Sequence, residues 1–245
     1  MGNRPPWLWL NLLSLDAPLV ALVWQDFLAR CYPAPLLPSG RFVLGLTVWA
    51  IYIADRLLDV RGPASDNETT HHSFYRANRL SWTAILIAVI TADLLVTVFW
   101  LRPAVFVHGL VVAGASVAYL AVFTGAGSRW AFAKTISAAM LFSAGVFVVE
   151  SAKPGGSLLA LLGPWAVFAL LCASNLFLIS QWERDRRTTR VYLFLLFFAP
   201  FGRWYFAITL SSLGLSALAF LAGKLSLEAR RVLADLALLT PLFFR

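Results

Sequence analysis

The chain is a succession of apolar stretches, each about as long as a helix that crosses a lipid bilayer. A hydrocarbon core of about 30 Å takes roughly 20 helical residues. Runs of that order stand at about 7–29, 41–60, 80–101, 104–123, 131–150, 157–180 and 204–222, with a shorter eighth at about 227–244. Backbone groups in lipid must be satisfied within a helix or a closed barrel, and these runs lack the alternation of barrel strands. Hydrophobic residues make up 60% of the sequence and charged residues 13%, a balance that excludes an ordinary water-soluble domain. The expected fold is an all-α integral membrane protein, a bundle of seven to nine transmembrane helices forming one domain over residues 1–245.

Arg4 precedes the first run, which continues without a small-residue cleavage site, so a retained first helix is expected. Cys31 and Cys172 fall in or beside different runs with no paired spacing, which leaves neither a disulfide framework nor a Cys-based metal site.

Loops assigned alternately to two sides give an orientation. One side receives Arg4, Arg61, Arg76, Arg79, Arg129, Lys134, Arg184, Arg186, Arg187, Arg190, Arg203 and Arg245; the other receives Arg30, Arg41, Arg102, Lys153, Lys224, Arg230 and Arg231. The bias places the first side in the cytoplasm, as expected for an inner or plasma membrane. The net charge of +8 is then read as positive-inside topology and contact with membrane lipids, with no nucleic-acid partner.

Two acidic motifs sit where apolar runs end on that side: Asp55-Arg56-Leu57-Leu58-Asp59 and Gln181-Trp182-Glu183-Arg184-Asp185. Carboxylates near hydrocarbon are costly and mark a functional site by default. Residues four apart on a helix share a face, with β-carbons about 5–6 Å apart, so Asp55 and Asp59 can grip one cation together. Gln181 and Asp185 have the same spacing, and Glu183 lies across the helix unless the backbone unwinds there. Magnesium favours a few carboxylates with waters and phosphate oxygens over a full protein cage. Two facing half-sites therefore suit a magnesium-bridged diphosphate, with Arg and Lys on its outer oxygens.

Both motifs are followed by the longest loops, about 61–79 and 186–203. The second contains an apolar stretch, Val191 to Phe201, too short to span and suited to an interfacial or re-entrant segment. Both loops are expected to cover one mouth of the bundle.

The stretch Ile51-Tyr52-Ile53-Ala54-Asp55-Arg56-Leu57-Leu58-Asp59-Val60-Arg61 resembles the first aspartate-rich motif of the UbiA superfamily of intramembrane prenyltransferases. Gln181-Trp182-Glu183-Arg184-Asp185-Arg186 resembles its second motif, and Tyr119, Arg129-Trp130 and Lys134 are similar to the pattern between them. The chain departs from the family at Ile51-Tyr52, where Asn-Asp is usual, and at Gln181, where Asp is usual. The resemblance implies a central cavity and Mg2+ held by Asp55, Asp59, Glu183 and Asp185. It further implies a prenyl diphosphate bound by Lys134, Tyr119, Gln181 and Arg61, and transfer of the prenyl group to a lipophilic or aromatic acceptor. Two alternatives stand beside it: a membrane terpene cyclase of the same superfamily, which uses the diphosphate alone, and a non-catalytic or transport-like protein.

Read singly, these residues have plainer roles. Lys134 suits a snorkelling boundary lysine as well as a diphosphate ligand, and Asn175 suits an interhelical hydrogen bond as well as substrate orientation. His71 and His72 are adjacent, point about 100° apart on a helix and make a poor joint metal site. Asp16 and Asp93 lie deep in their runs and are expected to face the bundle interior or a polar partner. Asp26 and Glu150 are expected at the hydrated far side.

Overall fold

The computed structural model describes residues 6–61, 70–123, 128–183 and 203–244, and all regular structure among them is helical. The α-helices are α1 (Leu8–Leu12), α2 (Asp16–Cys31), α3 (Pro38–Asp59), α4 (Thr70–Ala77), α5 (Arg79–Trp100), α6 (Pro103–Phe123), α7 (Ala131–Val146), α8 (Val148–Ser151), α9 (Leu158–Glu183), α10 (Arg203–Leu221) and α11 (Leu227–Ala237). Short 3-10 turns follow α10 and α11.

Local chemistry sets several boundaries. Pro38 opens α3 after an extended Leu37, where a missing N–H costs nothing. Ser226 caps α11 by accepting from the Ala229 N–H at 3.2 Å, and Glu228 complements the positive end in the first turn. The first apolar run breaks between α1 and α2, where Ser14 takes a left-handed φ of 53°. Its hydroxyl lies 3.0 Å from the Tyr75 hydroxyl, a buried bond that holds this conformation.

Four helices among the described residues are long and apolar enough to cross a membrane: Arg79–Trp100, Pro103–Phe123, Leu158–Glu183 and Trp204–Lys224. The other marked runs take different forms. The first is split; the second, α3, is long but carries Arg41, Asp55, Arg56 and Asp59; the fifth is α7 continued by α8 beyond Phe147; the last is α11 and a 3-10 turn. The loop expected at 61–79 contains helix α4 and the start of α5. On α5 and α6 large apolar side chains stand exposed, among them Phe99 at 68%, Val111 at 70% and Val117 at 67%. Such surfaces suit contact with lipid.

α3 packs along α2 and α5, and α7 along α9. The core centres on Trp24, fully buried, whose ring lies 4.6 Å from Phe168 and 5.5 Å from Trp204 and whose indole N–H donates to the Leu238 carbonyl at 2.7 Å. The deep polar residues find partners: Thr47 donates to Asp93 Oδ2 at 2.7 Å, while Asp93 Oδ1 is buried without one among the described residues, and Asn11 donates to Asp16 at 2.5 Å. Asp26 pairs with Arg30 and Arg41. Glu150, expected to be hydrated, is buried with neither carboxylate oxygen hydrogen-bonded among the described residues.

Helix α10 runs opposite to the direction that loop alternation predicts. Its first turn puts Trp204 against Tyr32, just past the end of α2, and against Phe147. Its middle meets the 3-10 turn after α11, where Ser211 lies 2.6 Å from Thr240, and then the end of α11, where Gly214 faces Ala237, and α11 begins beside α4, with Thr70 donating to Glu228 at 3.0 Å. Glu183 and Trp204 therefore lie toward opposite ends of the bundle, and Lys224, Arg230 and Arg231 move to the end that carries the acidic motifs. The expected interfacial segment between them lies outside the described residues.

Candidate functional site

The last turns of α3 present Asp55 and Asp59 on one side of the helix, and both reach the same cation. Lys134 Nζ, from the first turn of α7, lies 3.4 Å from Asp55 Oδ1 and 3.7 Å from Asp59 Oδ1. His72 Nε2 stands 4.0 Å from Asp59 Oδ2. Arg56, between the two aspartates in sequence, feels Asp55, Asp16, Glu183 and Asp59 together.

The end of α9 supplies the other half. Glu183 Oε1 accepts from Arg231 Nη2 at 2.5 Å, and Arg231 Nη1 donates to His71 Nδ1 at 3.0 Å. An arginine only donates, so Nδ1 of His71 is the bare nitrogen and Nε2 carries the proton. Burial, then the Arg56 and Arg231 charges, push the His71 pKa far below its ordinary value of 6.5. His72 is also lowered, by burial and then Arg56, although Asp59 and Glu183 oppose the shift. His71 is thus a neutral structural partner of Arg231, not a solvated loop residue.

These groups stand around a cavity of about 300 Å³ between α2, α3, α6, α7, α9 and α11. Its lining includes Asp55, Arg56, Lys134 and Glu183 at the charged end and Val20, Leu44, Val48, Leu141 and Phe142 elsewhere. Two further carboxylates line it: Asp16 of α2 and Asp235 of α11. Asn175 donates to Asp235 at 3.0 Å.

Of the residues expected at the site, Asp55, Glu183, Lys134, Tyr119 and Asn175 line this cavity. Asp59 joins it through Lys134. Gln181 is part-exposed on α9 and outside the lining, Arg61 is exposed just beyond α3, and Asp185 lies outside the described residues. Arg231, Asp235 and His71 were not expected as principal members. The signal for two of them was present: Arg231 and Asp235 stand four apart in the most polar of the apolar runs, on one helix face.

Around the cavity the described residues place Asp16, Asp55, Asp59, Glu183 and Asp235 against Arg56, Lys134 and Arg231. Carboxylates outnumber cations, so the arrangement has room for added positive charge. No three His, Cys, Asp or Glu side chains among the described residues are grouped to hold a metal ion by themselves. The pair Asp55 and Asp59 converges on a single cation, as a magnesium site completed by water and phosphate oxygens requires. No protein-family model, curated protein or solved structure matches this chain.

Proposed function

We propose that this protein is an intramembrane, Mg2+-dependent transferase that ionises a prenyl diphosphate and passes the prenyl group to a lipophilic or aromatic acceptor. The observation that carries this reading is the convergence of Asp55 and Asp59 on the Lys134 ammonium at the charged end of a mainly apolar interhelical cavity. Asp55 and Asp59 would hold the metal, with Glu183 and Asp185 as the second half-site. Bound there, Mg2+ neutralises charge on the departing diphosphate. Lys134 and Arg56 would take outer diphosphate oxygens. The apolar lining takes the isoprenoid tail and keeps water from the allylic cation, and the faces of Phe142, Tyr52 and Tyr119 stabilise it.

In this reading the cavity is the expected central one, and the shorter helices complete a bundle of seven to nine crossings. The end carrying the motifs gains Lys224, Arg230 and Arg231, which supports a cytoplasmic placement.

The test is Mg2+-dependent diphosphate release by the purified protein, offered geranyl, farnesyl and geranylgeranyl diphosphates with and without phenolic acceptors. Release coupled to a prenylated acceptor is the expected result. A cyclised hydrocarbon or alcohol without acceptor would replace transfer by terpene cyclisation. Neither binding nor release would leave the non-catalytic or transport-like alternative.

A further inference from the structure

The cavity wall contains two amide and carboxylate pairs. Asn11 donates to Asp16 Oδ2 at 2.5 Å, and Asn175 donates to Asp235 Oδ1 at 3.0 Å. All four residues line the cavity, beside the apolar Val20, Leu44 and Leu238. Asn175 stands eight residues before Glu183 on α9, about 12 Å along the helix axis, so this patch lies well inside the charged mouth. In each pair the amide spends a donor on its carboxylate, and acceptor oxygens are what the wall has left over.

The carbonyl oxygen of Asn175 shows this directly. Asn175 is 5% exposed, and its Oδ1 is buried with no hydrogen-bond partner among the described residues. The bond from its Nδ2 to Asp235 fixes which way the amide faces. A buried acceptor without a donor is costly, and a bound molecule that brings an O–H removes that cost.

The charged neighbours narrow the class of molecule. Asp16 and Asp235 stand on the same wall. Of the cations lining the cavity, Arg231 is engaged by Glu183 and His71, and Lys134 by Asp55; Arg56 is assigned above to the diphosphate. A head group with its own negative charge would meet carboxylates with no cation left to pair it.

We propose that Asn175 selects the acceptor molecule: its Oδ1 accepts a hydrogen bond from a hydroxyl on an uncharged amphiphile, and Asp16 and Asp235 turn away acceptors whose head is a carboxylate. This rests on the transfer function proposed above, whose acceptor it specifies. The apolar lining takes the hydrocarbon part of that molecule. The contact decides which acceptor is held, and no covalent bond is made or broken at Asn175.

The test measures binding, not turnover. The full chain in detergent, with Mg2+ and farnesyl thiolodiphosphate, whose C–S bond resists ionisation, is equilibrated separately with tritiated para-pentylphenol, its methyl ether and para-pentylbenzoate. Uptake by protein-free micelles is subtracted. The phenol is expected to bind at least about tenfold more tightly than the ether, which lacks the donor, and than the benzoate, which adds a charge. Asn175→Leu, close in shape and without the carbonyl, is expected to bring phenol and ether within about twofold of one another. The ratio is the reading, because a general loss of affinity cancels in it. No binding by the unaltered protein, a phenol-to-ether ratio near one, a ratio that survives Asn175→Leu, or benzoate bound as tightly as phenol overturns the assignment. If Asn175→Leu binds neither compound, Asn175→Ala is read in the same way, and loss of both ligands there too overturns it by making Asn175 a structural residue. Mg2+-dependent release from farnesyl diphosphate by the unaltered protein, with para-pentylphenol present, judges the transfer function separately. Release without a phenol preference overturns only the selection by Asn175, and a phenol preference without release overturns the transfer function while the contact at Asn175 stands.

Discussion

Arg231 Nη2 lies 2.5 Å from Glu183 Oε1, so a buried guanidinium on α11 holds the last residue of α9. The same side chain reaches His71 on α4. Replacing it by leucine leaves a carboxylate and an imidazole without their partner. Breaking a fully buried pair costs about 3–5 kcal/mol; with Glu183 one-third exposed, roughly 1–3 kcal/mol is expected for Arg231→Leu. Thermal unfolding in detergent measures it, and an unchanged midpoint would show that the pair does not hold α9 and α11 together.

The neutral His71 gives stability a pH dependence of definite sign. Its folded pKa is depressed below the ordinary 6.5, so the unfolded chain binds a proton that the folded one refuses. Stability should be whole above about pH 7 and fall below the unfolded pKa by about 1.4 kcal/mol per pH unit from this group. His71→Gln should flatten the slope of stability between neutral and mildly acid pH. An equally steep slope in the variant would assign the acid sensitivity elsewhere.

Asp55 and Asp59 are part-exposed at the end of α3, so their replacement should spare the fold. Asp59→Ala is expected to lower Mg2+-dependent turnover by at least ~100-fold, the loss of several kcal/mol of metal assistance, with the melting curve little changed. Asp185→Ala is expected to do the same. Normal turnover in both variants would remove the metal site from this end of the bundle.

The crossing of α10 and α11 is tight at Gly214, where an added β-carbon would meet the Ala237 β-carbon at 3.1 Å. Gly214→Ala should cost little, since Ala237 must give by only tenths of an ångström. Gly214→Leu should destabilise by about 1–3 kcal/mol through overpacking. Equal midpoints for the two variants would mean the helices separate freely.

The direction of α10 can be read by labelling. In a background without Cys31 and Cys172, Gly223→Cys and Ser73→Cys should react with an impermeant thiol reagent from the same side of the membrane, and Lys153→Cys from the other. Gly223→Cys reacting with Lys153→Cys would restore the alternation that the loops alone suggest.

Helix identity was legible in the sequence because apolar length and the lack of period-two alternation are local properties. The four-residue spacing of Asp55 and Asp59 was legible for the same reason: both lie on one unbroken helix, and its periodicity sets their relation. Lys134 could be suspected only through its place in a motif pattern, since its approach to both aspartates depends on how α7 packs beside α3.

What the sequence determined by itself is a helical chain with segments long and apolar enough to cross a membrane and carboxylates at the ends of apolar segments, because apolar length and backbone hydrogen bonding act within each segment. Tertiary structure decided which segment ends meet. The reversal of α10 shows in its contacts with Tyr32, Phe147 and α11, which loop counting cannot supply. That reversal brings Arg231 to Glu183 and sets Asp235 on the same cavity lining as Asp16, 219 positions away in the chain numbering. Such pairings cost loop entropy that only the packing of the whole bundle offsets.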